Sequence, residues 1–182
     1  MRIAGIDPGS QRCGYAVIES LGGRLSIVDF GVWKLMSPVD GAKPVLGTRL
    51  ERLHTEAKDF FNRWNPSVIG FEKAVAFKNV SSALVLSEAR GVLRLAAFEC
   101  LADAEQRLCE LSPTAVKKHS AGLGLSQKTS VLKILSLRFN GLDRLLDGKN
   151  FSIDAVDALA IAWTAWILSK RQASLGAFEG VL

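Results

Sequence analysis

The chain has 182 residues, with 23 Lys+Arg against 18 Asp+Glu and a formal net charge of +5. Its hydrophobic fraction of 48% and charged fraction of 23% are typical of a globular domain and exclude disordered, collagen-like and coiled-coil chains. No apolar run reaches the roughly 18 residues of a membrane span, and the first residues lack the apolar segment of a signal peptide, so we expect a cytoplasmic protein with no membrane partner.

Short apolar runs with tight connections open the chain. They cover Arg2–Asp7, Gly14–Ser20 and Leu25–Trp33, and glycines separate them. Three β-rich runs with such links predict an antiparallel meander. Apolar residues then recur at three- and four-residue steps, which predicts an amphipathic helix that ends before Pro66. Those apolar positions are Leu46, Leu50, Leu53, Ala57, Phe60 and Trp64.

Strands and helices alternate through the rest of the chain, and this order predicts an α/β fold in which helices flank a mixed five-stranded sheet. We expect one domain over residues 1–170 and a poorly ordered C-terminal tail over residues 171–182. The predicted elements are a strand at Val68–Glu72, a helix at about Ser82–Leu101, a strand at Arg107–Leu111, a helix from Pro113 capped by Ser112, a helix from Ser126 to Asn140, and a helix from its cap Ser152 to about Ser169.

Four acidic residues occupy positions where this fold would bring them together. Asp7 ends the first strand and Glu72 ends the fourth. A strand–helix–strand crossover makes these two strands candidate parallel neighbours, which would place both carboxylates at the same edge of the sheet. Asp154 and Asp157 lie three residues apart in the first turn of the last helix and share a face. A favourable interaction with the helix dipole is an alternative reason for these two aspartates.

Such a group of carboxylates is typical of a site for divalent cations. Carboxylates repel one another when they are brought together, and Mg²⁺ or Mn²⁺, which prefer oxygen ligands, remove that repulsion. Two such ions about 4 Å apart can activate water and stabilise the leaving oxygen in phosphodiester hydrolysis. Together with the basic net charge, the acids indicate metal-dependent cleavage of nucleic acid.

The first motif also allows a different interpretation. Gly5–Ser10, followed by Gly14 and Tyr15, is similar to the first phosphate loop of the actin and sugar-kinase ATPases. Those enzymes hold nucleotide between two domains, which 182 residues do not provide, and no second glycine-rich phosphate loop follows. We therefore favour nucleic-acid cleavage over ATP hydrolysis.

Taken together and in order, the motifs resemble those of the RuvC family of bacterial Holliday junction resolvases. The resemblance implies a ribonuclease H-like fold and a homodimer that nicks two opposed strands of a four-way DNA junction in recombination and repair. It further implies two Mg²⁺ or Mn²⁺ ions for each active site, and a branch-migration helicase complex as a candidate partner. The matching segments are Gly5–Ser10, Gly14-Tyr15, Glu72, Lys78-Asn79, Ser82–Leu84, Ala89–Val92, Val116-Lys117, Gly122–Gly124, Lys128 and Asp154–Ala162.

The same resemblance implies roles for individual residues. It identifies Asp7, Glu72, Asp154 and Asp157 as metal-binding catalytic acids, of which the position of Asp154 is histidine in some members. It also implies that Lys117 and Lys128 contact DNA, and that Lys128 is catalytic. For both lysines, a solvated helix end is the alternative.

Two further regions are assigned through the resemblance. In the loop after Glu72, the position that is aromatic in many members is Val75, and Phe77 is the aromatic residue of this loop. Lys73, Phe77 and Lys78 are predicted to contact DNA, with packing of Phe77 under its own loop as the alternative.

The helix at Ser82–Leu101 matches the helix that forms the family's dimer interface. By periodicity alone, its leucines could equally fill an ordinary core. Other functions remain open from the sequence: another ribonuclease H-like nuclease or integrase, and a non-catalytic junction-binding protein.

Overall fold

The computed structural model describes residues 1–38, 41–73, 80–121, 135–139, 142 and 152–179, without the side chains of residues 121 and 173–179. Its strands form one five-stranded sheet in the order β3-β2-β1-β4-β5. The strands are β1 at Arg2–Asp7, β2 at Arg12–Leu21, β3 at Arg24–Lys34, β4 at Val68–Glu72 and β5 at Leu108–Leu111.

The sheet is mixed, as the sequence predicts. β1, β2 and β3 pair antiparallel as a meander, whereas β4 pairs parallel with β1 on one side and with β5 on the other. β1 is therefore the central strand. The helices are α1 at Leu46–Trp64, α2 at Val80–Cys100, α3 at Ala104–Arg107, α4 at Pro113–Ala121 and α5 at Ile153–Glu179.

Several helix ends follow from local chemistry. α1 ends at Asn65, which adopts the left-handed conformation with φ 41°, directly before Pro66. α4 begins as predicted, because the Ser112 Oγ accepts the backbone N–H of Ala115 at 3.1 Å. The carbonyl of Ser152 accepts the N–H of Ala155 at 3.1 Å at the start of α5.

The structure corrects several predicted boundaries: β2 begins at Arg12 instead of Gly14, and α2 begins at Val80 instead of about Ser82. β5 begins at Leu108, because Arg107 belongs to the short helix α3 and donates from Nη1 to the Asn65 side chain at 2.7 Å. α5 continues beyond Ser169 to Glu179, since no proline follows Ser169 to end it. The single domain and the order of the tail stay predictions. The predicted helix from Ser126 to Asn140 lies mostly outside the described residues. The described part of this span includes residues 135–138, which are helical.

Helices cover both faces of the sheet, and the alternation of side chains along the strands explains why. On one face, sheet residues such as Ile6 and Phe71 pack with apolar residues of α1 and α2. On the other face, Ile3 and Ile18 pack with α4 and α5, whose Trp163 belongs to the same cluster. None of the described helices combines the length and apolar character needed to cross a bilayer.

Glycines bring α5 unusually close to the sheet. A Cβ atom at Gly5 in β1 would lie 2.1 Å from the backbone oxygen of Ala158, and one at Gly70 in β4 would lie 2.9 Å from Cγ2 of Ile161. Gly5 and Gly70 are partners in the parallel register. Any side chain at these positions would push the helix outward, so the glycines set how closely α5 approaches.

Candidate active site

Asp7 and Glu72 end adjacent parallel strands, as the sequence predicts. The β1–β4 register pairs Ile6 with Phe71, so the next residue of each strand is a neighbour of the other at the carboxyl edge of the sheet. Both residues are half-buried. The fold alone thus brings together carboxylates that are far apart along the chain.

Both side chains belong to the face that α5 covers. Gly5 lies two residues before Asp7, Gly70 lies two residues before Glu72, and both glycines contact α5. Because successive residues of a strand point to opposite faces, Asp7 and Glu72 project to the same side as these glycines.

The first turn of α5 lies directly beside Asp7. Gly14 of β2 is the antiparallel partner of Asp7, and a Cβ atom at Gly14 would lie 2.0 Å from the backbone oxygen of Asp154. The absence of a side chain at Gly14 therefore lets the helix start at this edge. Asp154 and Asp157 consequently lie on the same face and at the same edge as the two strand acids.

The electrostatics of neighbouring groups reflect this arrangement. Burial raises the pKa of the Glu72 carboxyl, the negative charge of Asp157 raises it further, and the positive charges of Lys117 and Arg90 oppose the rise. The charges of Asp157 and Lys117 thus both act on the Glu72 carboxyl.

The charges of the other two acids, Asp7 and Asp154, act on the Cys13 thiol. Burial raises the pKa of the Cys13 thiol, a hydrogen bond with the backbone of Gly9 opposes that rise, and the charges of Asp7 and Asp154 add to it. Asp7 and Asp154 therefore act on one buried side chain from the same edge of the sheet.

Asp154 is held by Arg12, which the sequence does not indicate as its partner, and by Ser152, the predicted cap of its helix. Arg12 Nε donates to Asp154 Oδ2 at 2.9 Å, and Arg12 Nη2 donates to the Ser152 Oγ at 2.5 Å. The Ser152 hydroxyl in turn donates to Asp154 Oδ2 at 2.6 Å. One carboxylate oxygen of Asp154 is therefore shared by a guanidinium and a hydroxyl group.

The donor set suits a hard divalent cation, although it is not drawn together as a metal centre. Within the described ranges, no three His, Cys, Asp or Glu side chains are grouped as metal ligands. All four acids offer carboxylate oxygens, the ligands that Mg²⁺ and Mn²⁺ prefer. A cation would also relieve the repulsion that raises the pKa of Glu72. The residues therefore fit such an ion in chemistry.

The predicted DNA-contacting residues are only partly described. Lys117 lies exposed on α4 with its charge acting on Glu72. Lys73 is exposed directly after β4, and its backbone N–H donates to the carbonyl of Leu111 at 2.7 Å. The remaining predicted positions lie outside the described residues: Val75, Phe77, Lys78 and Lys128.

Two arginines belong to the site without having been singled out from the sequence. Arg12 begins β2 after the glycine-containing turn, and only packing of α5 reveals its carboxylate partner. Arg90 Nη1 donates to the backbone oxygen of Glu72, and its Nη2 donates to Glu110 Oε1 at 3.1 Å. The position of Arg90 within the Ala89–Val92 motif was the available signal.

Comparison with known proteins supplies the context for this geometry. Residues 3–165 match the sequence profile of the family described as "Crossover junction endodeoxyribonuclease RuvC". The protein of that name from Halothermothrix orenii is 32% identical over 162 residues, covering 89% of this chain and 90% of the relative. The one from Ruegeria pomeroyi is 37% identical over 178 residues, covering 94% and 98%.

Solved structures confirm the predicted ribonuclease H-like fold. RuvC of Thermus thermophilus in complex with a Holliday junction substrate matches with a TM-score of 0.77 at 24% identity, covering 94% of this chain and 96% of that chain. The yeast mitochondrial Holliday junction resolvase matches with a TM-score of 0.64 at 19% identity, covering 98% and 83%.

Proposed function

This chain belongs to the RuvC family of crossover junction endodeoxyribonucleases, and on that premise we propose that it resolves four-way DNA junctions in recombination and repair. It does so by paired symmetric nicks, through hydrolysis assisted by two Mg²⁺ or Mn²⁺ ions. The observation that carries the proposal is the position of four carboxylates on one face and one edge of the sheet. Two of them come from adjacent strands and two from the first two turns of α5.

Asp7, Glu72, Asp154 and Asp157 would hold the ions. Divalent ions supply the Lewis acidity that activates water and stabilises the leaving oxygen in phosphodiester hydrolysis. The protein positions the carboxylates on rigid elements: two strand ends and one helix start. The hydrogen bond from Arg90 to the backbone of Glu72 further fixes that strand end.

Positive side chains complement this acidic site. Lys117 acts electrostatically on Glu72, which supports a place near the scissile phosphate, where it would stabilise charge that develops in the transition state. On the family resemblance, Lys128 is proposed to be a catalytic residue that stabilises the same developing charge. Lys73, Phe77 and Lys78 are proposed to contact the strand that passes the loop after β4, by charge and by stacking.

A homodimer would supply the second active site that paired nicks require. One face of α2 is buried against the sheet and α1, whereas apolar side chains on another face are exposed. A second copy of the chain would cover them through a twofold contact. The exposed apolar residues, with their exposed fractions, are Val80 (70%), Leu84 (61%), Leu95 (54%) and Phe98 (53%). A branch-migration helicase complex stays a predicted partner on the resemblance alone.

The test is cleavage of labelled substrates in Mg²⁺, with cuts mapped on every strand. The panel consists of linear duplex, RNA–DNA hybrid and four-way junction, each with a chelated control. We expect two symmetric nicks in opposed strands of the junction and no cuts in the linear substrates. Cleavage of the RNA strand of the hybrid would assign the chain to another ribonuclease H-like activity. Junction binding without any cleavage would make it a binding protein instead.

A further inference from the structure

A cavity of about 520 Å³ lies between the turn after β1 and the first turns of α2. This volume is within the range of about 300–1,000 Å³ that is usual for ligand pockets. Arg12 and Arg49 line it together with hydroxyl-bearing residues such as Ser10 and Ser82, and Leu86 contributes an apolar wall. None of the described lining residues is acidic, so the lining itself supplies two positive charges, while the carboxylate that pairs with Arg12 belongs to Asp154 outside the lining.

The positive character of this cavity is built into the fold. Arg49 of α1 donates from Nη1 to the backbone oxygen of Ser10 at 3.0 Å, which holds its guanidinium in the wall of the cavity and fixes the turn. Residues of the first two turns of α2, including Ser82 and Leu86, form another part of the lining. Positive charge, hydroxyl groups and an apolar wall together suit a sugar-phosphate unit of a DNA strand.

Arg12 connects this cavity to the acidic site. It lines the cavity, and it also forms the ion pair with Asp154 at 2.9 Å. The Arg12 side chain is 51% exposed and that of Asp154 is 35% exposed. An ion pair this exposed contributes little stability, so a phosphate can replace Asp154 as the partner of Arg12 at low cost.

The same ion pair interferes with metal binding. It occupies Oδ2 of Asp154, an oxygen that a cation would need, and it places a positive guanidinium beside the position of that cation.

We propose that Arg12 is a positioning residue with two alternative partners: Asp154 in the free protein, and a backbone phosphate of the DNA strand in the cavity. This deepens the proposed function and rests on it for the identity of the strand. When the strand fills the cavity, Arg12 leaves Asp154, and the released carboxylate becomes available to a divalent ion. Strand binding and completion of the metal site are thereby coupled.

The first experiment measures Mn²⁺ affinity by calorimetry on the free protein, without DNA. We expect Arg12→Ala to bind Mn²⁺ about twofold to fivefold more tightly than wild type, the range that loss of a partly exposed ion pair implies. Arg12→Lys, which retains the charge, should stay near wild type. The matched control is Arg2→Ala, which removes another exposed ion pair, to Glu19, from the opposite end of β1. Unchanged or weaker Mn²⁺ binding by Arg12→Ala would overturn the proposal.

The second experiment measures junction affinity in a chelator at several salt concentrations. We expect Arg12→Ala to bind more weakly, with a salt slope shallower by about 0.7–0.9, the value for one lost phosphate contact. Arg12→Lys and Arg2→Ala should retain the wild-type slope. A wild-type slope for Arg12→Ala would show that Arg12 takes no phosphate and would overturn the proposal.

A third comparison tests the exchange itself. Asp154→Asn and Asp157→Asn each remove one negative charge, but only the first releases Arg12. We therefore expect Asp154→Asn to raise metal-free junction affinity more than Asp157→Asn, and the excess to disappear in the Arg12→Ala background. Equal gains would overturn the exchange. These experiments measure Mn²⁺ affinity and junction affinity and involve no cleavage. A wild-type protein that binds junctions but does not cut them would therefore contradict the proposed function, whereas the affinities of the variants would still test the role of Arg12.

Discussion

Gly14 and Asp154 are in direct backbone contact, although they lie on different elements. A Cβ atom at Gly14 would be 2.0 Å from the backbone oxygen of Asp154 and 3.3 Å from the backbone nitrogen of Ala155. The position of the α5 acids beside Asp7 thus depends on a missing side chain in β2.

We expect Gly14→Ala to displace the start of α5 from the sheet. Overpacking of this kind lowers the free energy of unfolding by about 1–3 kcal/mol. Misplacement of a catalytic group can reduce cleavage by about 100-fold. Denaturant unfolding and single-turnover junction cleavage measure the two effects. Gly47→Ala, in α1 with nothing near its Cβ, is the control and should lower neither stability nor rate. Wild-type values for Gly14→Ala would contradict this account of the contact.

Asp7→Asn should abolish cleavage while junction binding stays near normal. The change removes a proposed metal ligand but none of the basic side chains that contact phosphates. Cleavage in Mg²⁺ and binding in a chelator separate the two properties. Asp59→Asn, an exposed position on α1, should retain both. A folded Asp7→Asn variant that loses binding together with cleavage would argue against this division of roles.

Glu72→Gln should stabilise the metal-free protein at neutral pH while it removes activity. Because burial and Asp157 raise the pKa of Glu72 above its ordinary value, the folded state binds this proton more tightly than the unfolded state. The ionised Glu72 carboxylate therefore destabilises the folded protein. This destabilisation is absent below the ordinary pKa of a glutamate, grows as the pH rises to the pKa of Glu72 in the folded state, and is complete above it. The gain in melting temperature should therefore be greatest at neutral pH and fade on acidification. Glu19→Gln, which loses an ion pair with Arg2, should show no such gain.

Lys117→Ala and Lys128→Ala should both lower the cleavage rate, with Lys128→Ala the more severe. Loss of the Lys117 charge should also raise the pKa of Glu72 further, so that the acid limb of the pH–rate profile moves to higher pH. Single-turnover rates at saturating protein test this, with Lys118→Ala on the same helix as control. Wild-type rates at saturation, with weaker binding only, would reduce both lysines to DNA contacts.

Leu95→Glu should convert a dimer into a monomer. It places a charge among the exposed apolar side chains of α2, next to Phe98, where a second copy would bury it without a partner. Sedimentation at micromolar concentration measures the change. Leu21→Glu, at an exposed position in the β2–β3 hairpin, should leave the oligomeric state unaltered. A wild-type protein that is monomeric yet makes paired symmetric nicks would contradict this interface.

How much of the site could be predicted depends on how local the cause is. The adjacency of Asp7 and Glu72 follows from one strand–helix–strand crossover, so the pattern of apolar runs was sufficient. The partner of Asp154 could not be predicted, because Arg12 is 142 residues away and meets it only when α5 packs on Gly14. Likewise, the periodicity of α2 does not distinguish buried Leu93 from exposed Leu95, since that depends on which face the sheet covers.

The acids of the site are made at different times. Asp7 and Glu72 belong to strands that emerge early in synthesis, whereas Asp154 and Asp157 belong to the last helix of the fold. Domains are synthesised from the N-terminus at about 5–20 residues per second, and contacts across long sequence separations form late in folding. Under the proposed assignment, a nascent chain whose α5 has not yet emerged from the ribosome carries only half of its metal ligands. Nuclease activity would thus begin only when nearly the whole domain has been translated and folded.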